Sequence, residues 1–381
     1  MSWRHLCKNI KRDENRIRST PILITYMRSS SYGRYDFCPM AYFMEYNLGW
    51  TSPPNIRADM GTITHQVLEI MALAKKALQD GKKKLKYKLH NTIININAEN
   101  YNIKGLIKKV YEDYTQYRTC HEWTSYQYEV IQKWVWQALE YNNGQVDPRN
   151  RHIIDAEPHF DFPIEKDWAK YNYTLGGQEA KGCLRLKGTI DLITQLDEKT
   201  YEIIDWKTGL RINWGTGERK TYEKLKNDFQ LRLYHLAGHY LYNVDQIIVT
   251  IMYIRDGGEE QPSRGDDIGI PGAFSLCFSE KDLTETKSMI KMRYGEIFSN
   301  RSPAQRKTWR CKSFCNAGKT DFSETSMSPI TSPKDTKTGS QAGCFKSKCD
   351  QIYDEVRLKG MKWVLENCTN PDFCVNTYSQ G

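Results

Sequence analysis

Two short segments of the sequence set acidic residues and a lysine among apolar residues. The first reads G-T-I-D and ends at Asp191, and the second reads E-I-I-D-W-K-T-G and contains Asp205 and Lys207. Residues two apart on a strand share one face of a sheet, so Asp205 and Lys207 are predicted to project together. The short stretch between the two aspartates leaves room for a hairpin that would bring the Asp191 carboxylate beside that of Asp205.

Two carboxylates and a lysine at one sheet edge offer oxygen ligands to a hard divalent cation, beside a positive charge. Mg²⁺ there can bridge a phosphate oxygen and lower the pKa of a bound water, while the lysine positions that water or stabilises charge at phosphorus. A lone Asp-x-Lys is usually solvated surface, but apolar neighbours predict that both acids lie within strands. Gln230 and Tyr234, at i and i+4 of a predicted helix, would face the same sheet. The pattern therefore indicates a metal site that acts on phosphate.

The elements that must position these residues alternate between strands and helices. Apolar residues at helical spacing, with a capping signal at Ser279, predict helices over residues 59–80, 122–141, 222–243, 279–298 and about 350–366. Alternating or continuous apolar residues predict strands over residues 153–162, 184–192, 201–207 and 246–254. We therefore expect an α/β fold with a mixed central sheet flanked by helices, and a helical N-terminal region folded over the active site.

The composition limits the classes of protein to which the chain can belong. Of 381 residues, 39% are hydrophobic, which excludes a wholly disordered chain, and no apolar run is long enough to span a membrane. The N-terminus is charged from its start and has no apolar segment for a signal peptide, so we expect a soluble cytoplasmic protein. The sequence has no G-x-x-x-x-G-K-[ST] phosphate loop, which argues against an ATP-driven motor.

Two further features would suit a nucleic acid without requiring one. The formal net charge is +9, and aromatic residues make up 12% of the chain, enough for base stacking as well as core packing. A lysine-rich segment follows the first predicted helix, at Lys82, Lys83, Lys84, Lys86 and Lys88. Such a run is usually a solvated surface, and contact with phosphate is the less common alternative.

The acidic segments resemble motifs of a known nuclease superfamily. G-T-I-D, I-I-D-W-K-T-G and the later Q-L-R-L-Y are similar to motifs II, III and Q-x-x-x-Y of the PD-(D/E)-x-K nucleases. Within that superfamily they most resemble the RecB/AddB-like exonucleases, including CRISPR-associated and phage members. Upstream, G-T-I-T-H-Q-V-L-E at residues 61–69 is similar to the helical motif that supplies a histidine metal ligand in that group.

The resemblance implies metal-dependent hydrolysis of DNA phosphodiesters and, by position, a set of metal ligands. Asp191 and Asp205 would ligate Mg²⁺ or Mn²⁺, with His65 as a further ligand. The backbone carbonyl of Trp206, or that of Ile204, would complete the ligand shell.

The remaining site residues follow from the same resemblance. Lys207 would act on the attacking water, and Gln230 and Tyr234 would hold the DNA backbone or the lysine. Glu157 fits the acidic position on the strand before motif II, where Asp155 and Asp161 are alternatives.

The resemblance also implies a biological role. The protein would be an exonuclease that acts on a DNA end in recombination, repair or phage genome processing. It would work inside a bacterial or phage-infected cell, with a helicase or recombination protein as a partner. Two alternatives are a non-catalytic DNA-binding scaffold of the same fold and a structure-specific endonuclease. Retention of Asp191, Asp205 and Lys207 favours an enzyme over the scaffold.

Eleven cysteines without a secretory signal favour metal or cluster ligation over disulfides. Cys38, in a Cys-Pro pair, and the distant Cys311, Cys315 and Cys349 resemble the iron–sulfur staple of AddB-like and CRISPR-associated nucleases, in which four thiolates hold a [4Fe–4S] cluster. The C-x-x-x-C spacing of the first C-terminal pair departs from that family, and Cys344 is an alternative fourth ligand. A structural Zn²⁺ is the alternative occupant.

These features predict three regions along the chain. Residues 1–150 would form the helical N-terminal region with Cys38 and the His65 helix, and residues 151–300 the nuclease core. Residues 301–381 would form a cysteine-rich C-terminal region interrupted by a Ser/Thr/Lys-rich insertion at 319–343.

Overall fold

The computed structural model describes residues 21–50, 55–175, 178–212, 218–255, 272–306 and 342–369. The chain divides into two compact units, each assembled from separate stretches of sequence. We call residues 54–160 and 188–287 the core unit, and residues 1–53, 161–187 and 288–381 the terminal unit. The three regions expected from the sequence stay a prediction.

A five-stranded mixed sheet forms the centre of the core unit. Its strands, in spatial order, are Gly272–Cys277, Gln246–Tyr253, Thr200–Lys207, Leu192–Gln195 and His152–Ala156. Thr200–Lys207 and Gln246–Tyr253 run parallel, and the other neighbouring pairs are antiparallel. A parallel pair needs a crossover connection, and the helices Tyr222–Lys226 and Phe229–Leu241 lie in it.

Three longer helices share one buried cluster with this sheet in the core unit: Ile56–Gln79, Ile103–Tyr117 and Ser125–Glu140. Asn55 caps the first of them by accepting a hydrogen bond from the Arg57 amide. The apolar stripe of this helix shares one buried cluster with Ile204 and Trp206 of the sheet. The helix is therefore fixed against the strand that carries Asp205 and Lys207.

The remaining elements of the core unit are short. They are the 3₁₀ turns Tyr141–Asn143 and Pro148–Asn150, and an antiparallel hairpin of strands Lys84–Lys88 and Ile93–Asn97. The hairpin was not expected, because lysines alternate with the apolar positions of its first strand and the segment resembles a solvated lysine run. The helical N-terminal region predicted from the sequence thus contains a two-stranded sheet.

The terminal unit is built from short strands and helices. Its helical elements are Ser29–Phe37, Pro39–Tyr42, the π-helix Phe43–Asn47, the 3₁₀ turn Asp167–Ala169, Ala342–Lys359 and Met361–Asn367. Strand Tyr26–Met27 lies parallel to Arg185–Thr189, whose other neighbour is His159–Pro163, and Lys170–Leu175 pairs with Gln178–Cys183. The helix Glu280–Ser299 belongs to both units, because its residues up to 287 are in the core unit and its later residues are in the terminal unit.

The structure confirms the α/β class and the mixed central sheet. The strands expected at 201–207 and 246–254 and the helices expected at 59–80 and 122–141 are present within a few residues. The expected capping signal at Ser279 is also present, because the Ser279 amide donates to the Asp282 carboxylate over 2.8 Å.

Two predicted strands are wrong in the same way, because each is interrupted beside the site. The strand expected at 153–162 is two strands, since Glu157 has a φ of 51°, which turns the chain. The strand expected at 184–192 ends at Thr189, and a new strand begins at Leu192. The apolar neighbours of Asp191 predicted that it lies within a strand, but it lies between two strands.

Two predicted helices are also divided. The helix expected at 222–243 breaks at Asp228, whose side chain accepts from the Gln230 amide and caps a second helix. The helix expected at 350–366 breaks at Gly360, which has a φ of 85°. Residues 319–341 of the expected insertion lie outside the described residues.

Candidate active site

The hairpin of Leu192–Gln195 and Thr200–Lys207 brings the two aspartates of the site together. Leu192 lies opposite Ile204, so Asp191 reaches the end of the strand that carries Asp205. An Asp191 carboxylate oxygen accepts a hydrogen bond of 2.8 Å from the Trp206 amide. Both aspartates are buried. The hairpin predicted from the spacing of the two acidic segments is therefore present.

Lys207 lies on the same face of this strand as Asp205. Its Nζ is 2.7 Å from one carboxylate oxygen of Asp205 and 2.9 Å from the other. Gln230 Nε2 donates to Asp205 over 3.2 Å and to Tyr234 Oη over 2.8 Å. The four side chains form one hydrogen-bonded group, with the helix Phe229–Leu241 facing the sheet.

His65 reaches the site from the helix Ile56–Gln79. Its Nδ1 is 3.3 Å from an Asp191 carboxylate oxygen, and its ring meets the Trp206 ring edge-on. Burial lowers the pKa of His65, but the charge of Asp191 and its hydrogen bond outweigh burial, so the pKa is raised. Without a metal, the histidine is thus held as a partner of Asp191.

Glu157 completes a compact group of ligand atoms. One potential ligand atom from each of His65, Glu157 and Asp191 lies within 4.8 Å of the others. The Glu157 amide also donates to the Asp191 carbonyl over 3.0 Å, which fixes the turn. The two alternatives are engaged elsewhere, because Asp155 pairs with Lys76 in the core unit, and Asp161 pairs with Arg185 in the terminal unit.

The group holds more negative than positive charge when its acids are ionised. Burial, and then the Asp191 charge, raise the pKa of Glu157 to about 8. Burial also raises the pKa of Asp205 to about 6, although Lys207 opposes this. Burial likewise raises the pKa of Asp191, but His65 reverses the effect and the pKa is lowered. Buried carboxylates together with one imidazole form a donor set that can hold a divalent cation.

The strand also explains the position of Trp206. Its side chain is buried in the core cluster on the face opposite Asp205 and Lys207. Its amide holds Asp191, and the role of its carbonyl as a metal ligand stays a prediction.

Two features of the site were missed in the sequence. Tyr87, on the unexpected hairpin, donates from its hydroxyl to Glu69 over 2.9 Å, one helical turn beyond His65. A Cβ atom at Gly61 would come within 2.7 Å of Thr208 Oγ1, so the helix approaches the end of the Lys207 strand closely. The G-T-I-T-H segment carried this second signal, since a glycine one turn before a candidate ligand marks close packing.

The terminal unit holds the two cluster cysteines whose side chains are described. Cys38 is buried, with its Sγ 3.9 Å from the Ala304 carbonyl, and Gln305 Nε2 lies 3.1 Å from Cys349 Sγ. The adjacent residues Ala304 and Gln305 therefore contact the thiols of Cys38 and Cys349, respectively. Cys311 and Cys315 lie outside the described residues, as does the side chain of Cys344.

Acids and a lysine from a mixed sheet and its connections, met by a histidine from a packed helix, are typical of metal-dependent enzymes that act on phosphate esters. A protein-family model described as the PD-(D/E)XK nuclease superfamily matches residues 29–318. The chain therefore belongs to the PD-(D/E)XK nuclease superfamily, and its fold is restriction-endonuclease-like. Nucleases of this superfamily generally use divalent metals.

Solved structures that are similar to the chain include the following two. A candidate exonuclease from Eubacterium rectale has 11% identity and a TM-score of 0.42, over 83% of this chain and 94% of that chain. The protein SSO0001 has 13% identity and a TM-score of 0.27, over 82% and 87%. At these scores neither carries an argument about function. No curated protein sequence matches the chain.

Among the described residues, no helix combines the length and the apolar character that a membrane span requires.

Proposed function

We propose that the protein is a metal-dependent DNA exonuclease of the RecB/AddB-like type. The observation that carries this proposal is the convergence of His65, Glu157 and Asp191 beside the bonded pair of Asp205 and Lys207. These residues come from a helix, from two connections between strands and from one strand, so only the folded core unit assembles them.

The donor set fits Mg²⁺ or Mn²⁺, which His65, Asp191 and Asp205 would hold together with the Trp206 carbonyl. When bound, such an ion polarises the scissile phosphate and lowers the pKa of a coordinated water. Glu157, with its pKa raised to about 8, is a stronger base than an ordinary carboxylate, and once ionised it can accept a proton or add a ligand oxygen.

Lys207 and the helix Phe229–Leu241 would handle the substrate. The pKa of Lys207 is raised because the Asp205 charge outweighs burial, so the ammonium stays protonated and can stabilise negative charge on the phosphate. Gln230 holds Asp205 and Tyr234 at once, which positions the carboxylate that Lys207 contacts.

Two alternatives use the same fold. A non-catalytic scaffold is disfavoured because the acids and the lysine are all present and in contact. A structure-specific endonuclease differs in its substrate. Activity from a DNA end would suit recombination, repair or phage genome processing in the cytoplasm, with a helicase as a partner.

Digestion of matched DNA substrates separates these functions. With Mg²⁺ or Mn²⁺, we expect end-labelled linear DNA to be degraded and covalently closed circular DNA of the same sequence to survive. EDTA should stop the reaction. Cleavage of the circle would favour the endonuclease, and metal-saturated protein that binds both DNAs without cutting either would favour the scaffold.

We further propose that Cys38, Cys311, Cys315 and Cys349 hold a [4Fe–4S] cluster. Support comes from Ala304 and Gln305, which contact Cys38 and Cys349 and lie a few residues before Cys311 in sequence. Such a cluster would tie together residues far apart in the chain and bind as part of folding.

Anaerobic purification tests this staple. We expect brown protein that contains iron and sulfide and loses thermal stability when the cluster is oxidised. Cys38→Ala and Cys349→Ala should each cause that loss, whereas Cys120→Ala, at an exposed position, should not. If Cys344→Ala, and not Cys349→Ala, lowers the thermal stability, then Cys344 is the fourth ligand in place of Cys349. Colourless protein with one zinc would make the site a zinc staple, and metal-free, equally stable protein would refute it.

A further inference from the structure

The hairpin of the core unit, strands Lys84–Lys88 and Ile93–Asn97, is strongly two-sided. We call it the lysine ribbon. Its inner face carries Leu85, Tyr87, Ile94 and Ile96, which pack against the main buried cluster of the unit. Residues alternate between the faces of a strand, so every second side chain points outward. The inner face fixes the ribbon in place, and the outer face is free to take another role.

The outer face is basic and polar. It exposes Lys84, Lys86 and Lys88, and in register opposite them lie Asn97, Asn95 and Ile93. Neither strand contains an acidic residue. Successive lysines on this face repeat every two residues, about 6.8 Å along the strand, a spacing comparable to that of neighbouring phosphates along a DNA strand.

The three ribbon lysines differ from other exposed lysines near them. Within the described residues, Lys82 pairs with Asp80 and Lys83 pairs with Glu99, whereas Lys84, Lys86 and Lys88 make no ion pair. Like charges on one face repel each other, so a row of them without internal counterions suits an external polyanion.

The inner face of the ribbon is joined to the candidate active site. Tyr87, between Lys86 and Lys88, donates its hydroxyl to Glu69 on the helix that carries His65. Residues four apart on a helix are neighbours, so Glu69 and His65 lie one turn from each other. A hydrogen bond therefore ties the lysine ribbon directly to the helix that carries His65.

We propose that the lysine ribbon binds the phosphate backbone of the DNA whose end occupies the active site. The inference rests on the proposed function, which supplies the DNA, and adds a surface that holds the substrate beyond the scissile phosphate. Lysine ammonium groups contact phosphates as point charges, and the opposing asparagine amides can donate hydrogen bonds to the same backbone. The ribbon thus adds affinity without base specificity.

Salt-dependent binding tests the ribbon. Binding of a short labelled duplex to the full-length protein is measured in EDTA, where no cleavage occurs, over a range of salt concentrations. For K84Q/K86Q/K88Q we expect an affinity at least about tenfold lower at moderate salt, and a slope of log affinity against log salt smaller by about 2 to 3. K84R/K86R/K88R, which keeps the charge, should retain both the affinity and the slope.

A matched control separates the ribbon from net charge. K104Q/K109Q/K281Q removes the same charge from exposed lysines elsewhere in the core unit and should change the slope by less than about 1. An equal loss in the control, or an unchanged slope in the ribbon variant, would overturn the inference.

Cleavage of the same duplex with Mg²⁺ keeps this failure apart from a failure of the proposed function. Wild-type protein that cuts the duplex while the ribbon variant binds and cuts it equally well refutes the ribbon alone. Wild-type protein that neither binds nor cuts the duplex refutes both. If the lysine ribbon binds DNA, K84Q/K86Q/K88Q should have a higher KM and a kcat within about twofold of the wild-type value. The reason is that the three lysines act on binding and not on the reacting phosphate.

Discussion

The acidic site and the lysine ribbon lie in one unit and are organised in opposite ways. Asp191 and Asp205 are buried, and each has partners at hydrogen-bonding distance. Lys84, Lys86 and Lys88 are exposed and make no ion pair in the described structure. A reacting centre needs fixed groups in a shielded place, whereas a backbone-binding surface needs only charge in reach of solvent. The two regions should therefore respond to substitution in different ways.

The largest effect should follow removal of the Asp205–Lys207 pair. Asp205→Ala or Lys207→Ala should lower cleavage of linear DNA by at least about a hundredfold while DNA binding persists, because metal and water activation are lost but backbone contacts are not. Initial rates and binding are measured on the same preparations, with Asp205→Asn as an isosteric second variant.

Lys76 and Asp155 form a comparable pair elsewhere in the core unit, 3.2 Å apart and more exposed. Lys76→Ala is therefore the matched control and should leave the rate within about twofold, as expected for an exposed ion pair. Near-normal cleavage by folded Lys207→Ala would refute the assignment of the site.

His65 should give a smaller loss that depends on metal concentration. His65→Ala should reduce activity about tenfold at low Mn²⁺ and recover part of it at high Mn²⁺, because one fewer ligand weakens affinity before it alters geometry. The measurement is a rate titration with Mn²⁺ in both proteins. An unfolded variant, or a loss that no Mn²⁺ concentration changes, would make His65 a core residue.

Glu157 and Asp205 make the metal-free protein sensitive to pH. Their pKa values in the folded protein, about 8 and about 6, exceed the ordinary carboxyl values, so the folded state binds more protons than the unfolded state. Their contribution to stability is present below about pH 4 and is lost as pH rises towards 8. Thermal melts in EDTA should therefore fall over this range. Glu157→Gln should flatten the profile, and an identical profile in that variant would contradict the pKa assignment.

The smallest effect should come from Tyr87, which joins the two regions. Tyr87→Phe removes one hydrogen bond to Glu69 and leaves the ring packed, so we expect a two- to fivefold change in rate, an effect of about 1 kcal/mol or less. The salt slope of DNA binding should not change, because no charge is lost. A hundredfold loss of rate would instead place Tyr87 among the residues that act on the substrate.

The residues predicted best are those whose positions follow from local periodicity. The period of two on Thr200–Lys207 placed Asp205 and Lys207 on one face, and the i, i+4 spacing placed Gln230 beside Tyr234. Glu157 was proposed as an acid of the site by resemblance, and it lies on a turn and not on the strand that was expected. A left-handed turn at a glutamate has no signature in hydrophobic alternation.

Other features depend on contacts between distant segments, which a single sequence does not reveal. The Tyr87–Glu69 bond requires a hairpin to fold onto a helix, and the lysines that flank Tyr87 masked the apolar alternation of that hairpin. The assignment of Asp155 and Asp161 to other ion pairs likewise depends on where Lys76 and Arg185 lie in the fold.

The central proposal is that His65, Asp191 and Asp205 hold one divalent cation, to which Glu157 can add a ligand oxygen. Mn²⁺ binding followed by electron paramagnetic resonance tests it most directly. Wild-type protein at pH above 8, where Glu157 is ionised, should bind Mn²⁺ with loss of the free-ion signal, and affinity should fall as pH drops towards 6. Asp191→Asn should weaken binding at least about tenfold, whereas Asp155→Asn should not. Equal binding by wild-type protein and Asp191→Asn, or no binding by wild-type protein, would contradict the account.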